Sequence, residues 1–470
     1  GFTLNYGRNT PDDSNKIVTK EEALTSYNIA QEPLKNYLSN QLPPEEAFQA
    51  GPSCAECTSY DIVITQQDID YAEELITAHG EPFNREGWQY ILDKHNGYLP
   101  LQIRAVKEGS VIPVRNVLAT IVTTDPNVHW LTTWVETPLL RAIWYPTTVC
   151  TQSWSIKQLI KKYLEETGDV ETINFRLHDF GARGCSSFET AGLGAAAHLV
   201  NFYGTDTITG LVYTRKYYNS NMSGFSVPAA EHSTITSWGK EHEVDAYRNM
   251  LKQFAKPGSV VAVVSDSYDI YNACRTLWGD KLRQEVINSG ATVVIRPDSG
   301  DPATVVLKCL DILKDRFGFY INEKGFKVLN NVRVLQGDGV NYYSIKDILM
   351  TITDAGYSTD NVAFGMGGAL LQQLDRDTQK FAMKCSSANI NGEWVDVQKD
   401  PITDSGKKSK AGRVKLWTNS GGEYASSVSA PTGWTDRGIG GWTDAMQIVY
   451  QNGALFNEID FATVRANSNK

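Results

Sequence analysis

The sequence contains no uninterrupted apolar stretch close to the roughly 18 residues of a membrane-spanning helix, which argues against a membrane protein. Its first residues carry no basic segment leading into an apolar core, so nothing in it suggests secretion. Histidine is scarce, 7 in 470 residues, and none is spaced as H-E-x-x-H, so a zinc centre of that kind is not expected. No G-x-S-x-G elbow, Walker A run or G-x-G-x-x-G fingerprint occurs. Positive charge is in deficit, 44 Lys and Arg against 54 Asp and Glu. The resulting net charge of −10 leaves no basic face for non-specific nucleic-acid binding. The seven cysteines (Cys54, Cys57, Cys150, Cys185, Cys274, Cys309, Cys385) are odd in number and show no pairing pattern. Reduced thiols in a cytoplasm are the expectation. Cys54-Ala-Glu-Cys57 is a lone C-x-x-C without a second pair or a nearby histidine, which is weak ground for a structural metal.

What is present fits a globular chain larger than one ordinary core, with 41% hydrophobic and 21% charged residues. Residues 1–60 are polar and weakly periodic. Helical spacing follows over Ile69–His79 and Arg85–His95, then strands over Leu99–Val106 and Val111–Thr123, interrupted by Gly109 and Pro113. Trp130–Leu164 reads as helix broken near Pro146. From about residue 170, strands and helices alternate, the pattern of a parallel α/β sheet. The helices expected there are Ser187–Val200, Val244–Phe254, Ile270–Leu277, Lys281–Asn288, Ala303–Arg316 and Ser344–Ala355. Lys380–Phe461 returns to strands and turns. The expected architecture is an α/β barrel over 166–371, with a second, β-rich domain built from both termini, 1–165 and 372–470.

Five runs set a charged residue or glycines just behind an apolar strand: Phe202–Thr207, Val260–Asp269, Thr292–Pro302, Val332–Gly339 and Val362–Gly368. Parallel sheets hold their sites in the turns beyond the strand C-termini, so a barrel would gather these groups on one rim. Gly365-Met366-Gly367-Gly368 would let backbone amides approach an anion at a helix start, although many such runs are only turns. Arg296 offers a fork suited to phosphate and Asp298 an acceptor for vicinal sugar hydroxyls, against the plainer reading of a structural ion pair. Gly337-Asp338-Gly339 repeats that logic, or is an ordinary tight turn. His232 taken alone reads as structural, and the basic stretch Lys399–Lys415 as a solvated loop or a closing arm for a polyanion. Together these features suggest an enzyme acting on a phosphorylated sugar.

The ordered set Leu177–Gly192 (LHDFGARGCSSFETAG), Asn201–Thr207, Ser226–Gly239, Val263–Cys274, Ile295–Pro302, Gln336–Val340 and Ala363–Gly368 resembles the nicotinamide phosphoribosyltransferases. The likeness runs from about Ile64 to Lys415. It implies an irregular α/β barrel of the type II phosphoribosyltransferase kind. The implied reaction makes nicotinamide mononucleotide and pyrophosphate from nicotinamide and phosphoribosyl pyrophosphate. Mg²⁺, held mainly by the substrate pyrophosphate, and a homodimer with shared active sites are also implied. By the same resemblance, Phe180 stacks on the pyridine ring with Arg183 beside it, and Asp206 accepts from the carboxamide. Arg296 with Gly367 and Gly368 holds the 5′-phosphate, and Asp298 holds the ribose hydroxyls. Gly337 and Asp338 line that subsite, and Asp266 joins the substrate-binding set. Arg376, Lys384, Lys399 and Lys407 correspond to basic residues reaching the pyrophosphate from the other subunit. His232 corresponds to the histidine that ATP phosphorylates, coupling ATP hydrolysis to the transfer.

Two departures accompany the resemblance. The family's T-D-S-Y-K run, which carries a second stacking aromatic, is not recognisable, leaving Tyr27 as the candidate, and Ala382 stands where the family often has a hydroxyl. Nicotinate or quinolinate phosphoribosyl transfer and a non-catalytic homologue are the alternatives. Asp206 argues against nicotinate, because facing carboxylates repel.

Overall fold

A computed structural model describes residues 2–5, 63–403, 408–431 and 441–469. The chain divides into two compact units, Gly1–Thr148 with Asp375–Lys470, and Val149–Leu374. The sequence reading drew these borders at 165 and 371. The first border falls inside one helix, Glu136–Thr167, which continues through Pro146. Tyr145, Thr147, Thr148, Val149 and Cys150 are all buried around the proline, and the Thr148 hydroxyl donates to the Trp144 carbonyl at 2.6 Å. Packing of that turn outweighs the proline's missing N–H, so the expected break does not occur.

The first unit is built on a six-stranded antiparallel sheet. Its order is Ala382–Cys385, Phe2–Asn5, Val117–Thr123, Leu101–Val106, Met446–Gln451 and Ala454–Leu455. Strands from both chain ends therefore share one sheet, as the sequence led us to expect. The strand expected from Val111 starts only at Val117. Pro113 cannot donate to a ladder, and Arg115 sits at φ 68°, outside strand geometry. The helix Arg85–His95 begins on an Asn84 side chain that accepts from the Gly87 amide, and ends on Asn96 at φ 51°.

The second unit is a curled parallel sheet flanked by helices. Strand order is Gly204–Thr205, Leu177–Asp179, Val362–Met366, Val332–Gln336, Thr292–Arg296 and Val260–Val264. Val261, Val263, Ile295, Val332, Val334, Val362, Phe364 and Met366 are wholly buried, each contributing about 1.5–3 kcal/mol of transfer free energy. The run Phe225–Ala230 closes the ring. Phe225 bridges Gly204 at one sheet edge, and Ala229 bridges Ala262 at the other. The Phe225 amide donates to Tyr203 at 2.7 Å, and the Ala230 amide to Ala262 at 2.9 Å. Helix Pro302–Phe317 starts where the Asp301 side chain accepts from the Thr304 amide at 3.0 Å, so one short run serves both the rim and the cap. In this unit two α-helices escaped the sequence reading, Ile208–Tyr218 and His232–Thr236. The segment expected as α-helix to Leu277 turns into a π-helix over Ala273–Lys281. No helix among the described residues is long and apolar enough to cross a membrane.

Behind the strand Val260–Val264, Tyr247 stacks on Trp278 with centroids 4.7 Å apart, and the indole N–H donates to Ser265 at 3.0 Å. Tyr247 also donates to the buried Glu243 at 2.7 Å. Burial pushes the Glu243 carboxyl above its ordinary value, the Tyr247 bond opposes this, and Asp269 and Asp266 add to the rise. Folded protein then holds a proton that unfolded chain releases, so stability falls as pH rises from the ordinary glutamate value through the raised one. Glu243→Gln keeps an acceptor for Tyr247 and removes this loss. Its thermal midpoint should exceed that of the parent above that window and match it below pH 4.5, the unperturbed value. Equal midpoints at every pH would refute the account.

Candidate active site

Because all six barrel strands run one way, their C-terminal turns emerge on one rim. The strand Leu177–Asp179 delivers Phe180, and the fully buried Asp179 pins the turn by accepting from the Gly181 amide (2.7 Å) and the Thr205 hydroxyl (3.1 Å). The Phe180 amide donates to the Met366 carbonyl at 2.9 Å. Its ring occupies space that only glycine leaves open. A Cβ added at Gly365 would lie 2.0 Å from Phe180 Cε2. The Arg296 guanidinium stands 5.1 Å from the Phe180 ring centroid, in cation–π range.

Asp206 follows the short strand Gly204–Thr205, its amide donating to the Asp179 carbonyl at 3.0 Å. Its Oδ1 accepts from His178 Nε2 at 2.8 Å and from the Ser226 hydroxyl at 2.5 Å. Burial pushes this carboxyl upward, but the His178 bond and charge, Ser226 and Arg296 outweigh it and hold it below the usual range. Arg296 is lowered by burial, against the pull of Asp298, Asp206 and Asp266. Its Nη1 donates to the Ala230 carbonyl at 3.3 Å, while its Nε is buried without a hydrogen-bond partner. A buried guanidinium N–H in that state is an open donor for an anion.

On the other side of Arg296, Asp266 organises a second cluster. Its side chain is 5% exposed and accepts from His232 Nε2 at 2.9 Å, the Asp298 amide at 3.0 Å and the Ser299 hydroxyl at 2.8 Å. His232, 47% exposed, holds its Nδ1 3.9 Å from Asp298 Oδ2. Burial raises the Asp298 carboxyl, Asp266 and Asp338 add to it, and Arg296 and His232 oppose it. A Cβ at Gly337 would lie 2.8 Å from Asp298 Oδ1, so the two turns press together. The Asp338 carbonyl accepts from Gln336 Nε2 at 2.8 Å. Gly367 and Gly368 complete the rim, but the helix expected behind them is one turn, Gly368–Leu371. Backbone amides, not a macrodipole, are what it can offer.

The structure thus brings Phe180, Asp206, His232, Asp266, Arg296, Asp298, Gly337, Asp338, Gly367 and Gly368 to the C-terminal rim of one sheet. Arg183 is exposed on the turn Ala182–Gly184. Arg376, Lys384 and Lys399 belong to the first unit. There Arg376 donates to the Phe381 carbonyl at 2.8 Å and pairs with Asp377, and Lys384 donates to the Met383 carbonyl at 2.7 Å. Lys407, Tyr27, Cys54 and Cys57 lie outside the described residues. Sequence reasoning missed His178, Ser226 and Ser299 as parts of the site, and took Gly365 only as part of an anion-binding run, not as the seat of the Phe180 ring. Ser299 follows Asp298 in the strand-end run Thr292–Pro302, whereas His178 and Ser226 lie only in the runs Leu177–Gly192 and Ser226–Gly239 that carry the resemblance. Among the described residues no group of three or more His, Cys, Asp or Glu could hold a metal ion.

The nicotinate phosphoribosyltransferase (NAPRTase) family model matches residues 175–439, and the nicotinamide phosphoribosyltransferase N-terminal domain model matches 54–103. A nicotinamide phosphoribosyltransferase of Xanthomonas campestris pv. campestris (strain 8004) is 56% identical over 412 residues, 86% of each chain. The chain belongs to the nicotinamide phosphoribosyltransferase family. Two crystal structures share the fold. Human nicotinic acid phosphoribosyltransferase covers 100% of this chain and 88% of its own, with a TM-score of 0.54 at 14% identity. Nicotinate-nucleotide pyrophosphorylase from Pyrococcus furiosus covers 81% and 82%, with a TM-score of 0.54 at 15% identity. Gly365→Ala should displace the Phe180 ring and lower kcat/KM for the pyridine roughly 10²-fold, the cost of misplacing a positioning group by about 1 Å. Unchanged kinetics would show that the ring position is not needed.

Proposed function

We infer that the protein transfers the phosphoribosyl group of phosphoribosyl pyrophosphate to nicotinamide, giving nicotinamide mononucleotide and pyrophosphate, a salvage step towards NAD. The observation that carries this reading is one carboxylate, Asp206, ionised and held on a single oxygen, beside an aromatic ring and a buried guanidinium. The pyridine nitrogen forms its bond to ribose C1 as the C1–O bond breaks, and the electron pair leaves with pyrophosphate. Positive charge builds on the sugar and negative charge on the leaving group. The nucleophile is a neutral ring nitrogen and needs orientation, not deprotonation, so no general base is assigned. Phe180 would orient the ring and Asp206 would accept from the carboxamide NH₂. Arg296, with the amides of Gly367 and Gly368, would hold the 5′-phosphate, and Asp298 and Asp338 the ribose side. The buried, unpartnered Nε of Arg296 supports the phosphate role.

In this reading Mg²⁺ enters as a guest of the diphosphate, with at most one or two carboxylates beside it. Bound there, it would neutralise charge on the leaving group. His232, exposed and oriented through Nε2 by Asp266, leaves Nδ1 as the nitrogen that ATP would phosphorylate. The working molecule in this reading is a cytoplasmic homodimer, with Arg376, Lys384, Lys399 and Lys407 reaching pyrophosphate in the other subunit's site.

Nicotinamide and nicotinate, each assayed with phosphoribosyl pyrophosphate, test the reading. Nicotinamide should be preferred, and Asp206→Asn should narrow the gap by roughly 10²-fold or more, since facing charges in a dry site cost several kcal/mol. A wild-type preference for nicotinate would overturn the assignment. His232→Ala should abolish stimulation by ATP while slow transfer persists. Equal loss with and without ATP would give His232 another role.

A further inference from the structure

Asp206 is fixed through one oxygen only, and both donors to it come from elements that exist only in the folded barrel. His178 lies on the neighbouring strand, in register with Gly204, two residues before Asp206. A Cβ at residue 204 would sit 2.6 Å from His178 Nδ1, so the imidazole lies across its neighbour's backbone only because that neighbour has no side chain. The ring is 16% exposed, tilted 52° to Phe180 at a centroid separation of 5.1 Å, and its Nε2 is 2.8 Å from Asp206 Oδ1. The second donor, Ser226, is carried by the run that closes the barrel and reaches the same Oδ1 at 2.5 Å. With Oδ1 taken twice, Oδ2 is the oxygen left to accept from a substrate.

We propose that His178 is a specificity-determining, positioning residue: by anchoring Oδ1 of Asp206 it fixes Oδ2 as a lone acceptor, which selects a pyridine amide over a pyridine acid. The proposal rests on the reading of Asp206 given above. A carboxylate held by Ser226 alone can turn about its Cβ–Cγ bond, and an acceptor that turns discriminates poorly between a donor and an anion. Phe180 needs no help from His178 to stay in place, because its amide is bonded to Met366 and its ring fills the space above Gly365.

The test measures kcat and KM for nicotinamide and nicotinate in the full-length wild type, His178→Ala, His178→Gln and Asp206→Asn. His178→Ala should lower the nicotinamide-to-nicotinate ratio of kcat/KM about tenfold, mainly by raising KM for nicotinamide, as expected when an orienting hydrogen bond is lost. His178→Gln sets an amide N–H near the place of Nε2 and should restore the ratio to within about threefold of wild type. An unchanged ratio in His178→Ala, while Asp206→Asn collapses it, overturns this proposal and leaves the function intact. An equal fall for both pyridines that Gln does not rescue also overturns it, since that marks packing alone. If Asp206→Asn leaves the ratio untouched, the reading of Asp206 fails and this proposal falls with it. Should His178→Ala not fold, His178→Phe keeps the bulk of the ring and removes the donor, and an unchanged ratio there overturns the proposal as well.

Discussion

Parallel strands release their C-terminal turns on one side of a sheet, and nearly everything about this protein's site follows from that restriction. Six short, largely buried strands end in turns that hold Phe180, Asp206, Asp266, Asp298, Asp338 and Gly367. The curl of the sheet brings those turns within reach of one another, and the run Phe225–Ala230 completes the ring by bonding both edges. The same closing run delivers Ser226 to Asp206 and the Ala230 carbonyl to Arg296. Closure of the fold and assembly of the site are therefore one event.

The electrostatics of the rim are dominated by carboxylates gathered about one buried cation. Arg296 loses solvation on burial and is compensated by Asp206, Asp266 and Asp298, none of which forms a direct ion pair with it among the described residues. Such an arrangement leaves the guanidinium's donors available while keeping its charge tolerable, which suits a site that must accept an anion and release another. The carboxyls divide accordingly. Asp206, beside His178, stays below the ordinary range, whereas Asp298 is pushed above it by burial and by the acids beside it. One family of side chains thus offers a firm acceptor at one end of the site and a more easily protonated group at the other.

Several elements were legible in the chain because a local rule and the tertiary outcome agreed. Arg85–His95 was read with the same bounds that the structure gives, since its asparagine caps and its apolar spacing point the same way. Pro302–Phe317 was read to within a residue for the same reason, with Asp301 and Pro302 at its start. Burial carried a helix through Pro146 against the local rule, and the positive φ of Arg115 delayed the expected strand to Val117. The π-helix over Ala273–Lys281, which carries Trp278 against Tyr247, has no sequence signature that spacing alone could reveal.

From composition and order alone came the two-part organisation, the parallel barrel and the choice of Arg296, Asp298, Asp338 and the glycines as chemistry, because buried strands followed by charge leave a linear trace, and the resemblance added Asp206. Left to the tertiary structure were the partners of those residues. His178 meets Asp206 across 28 positions, His232 meets Asp266 across 34, and Phe180 settles over Gly365 from a neighbouring strand. Strand order and register fix such meetings, and neither is written in the spacing of residues along the chain.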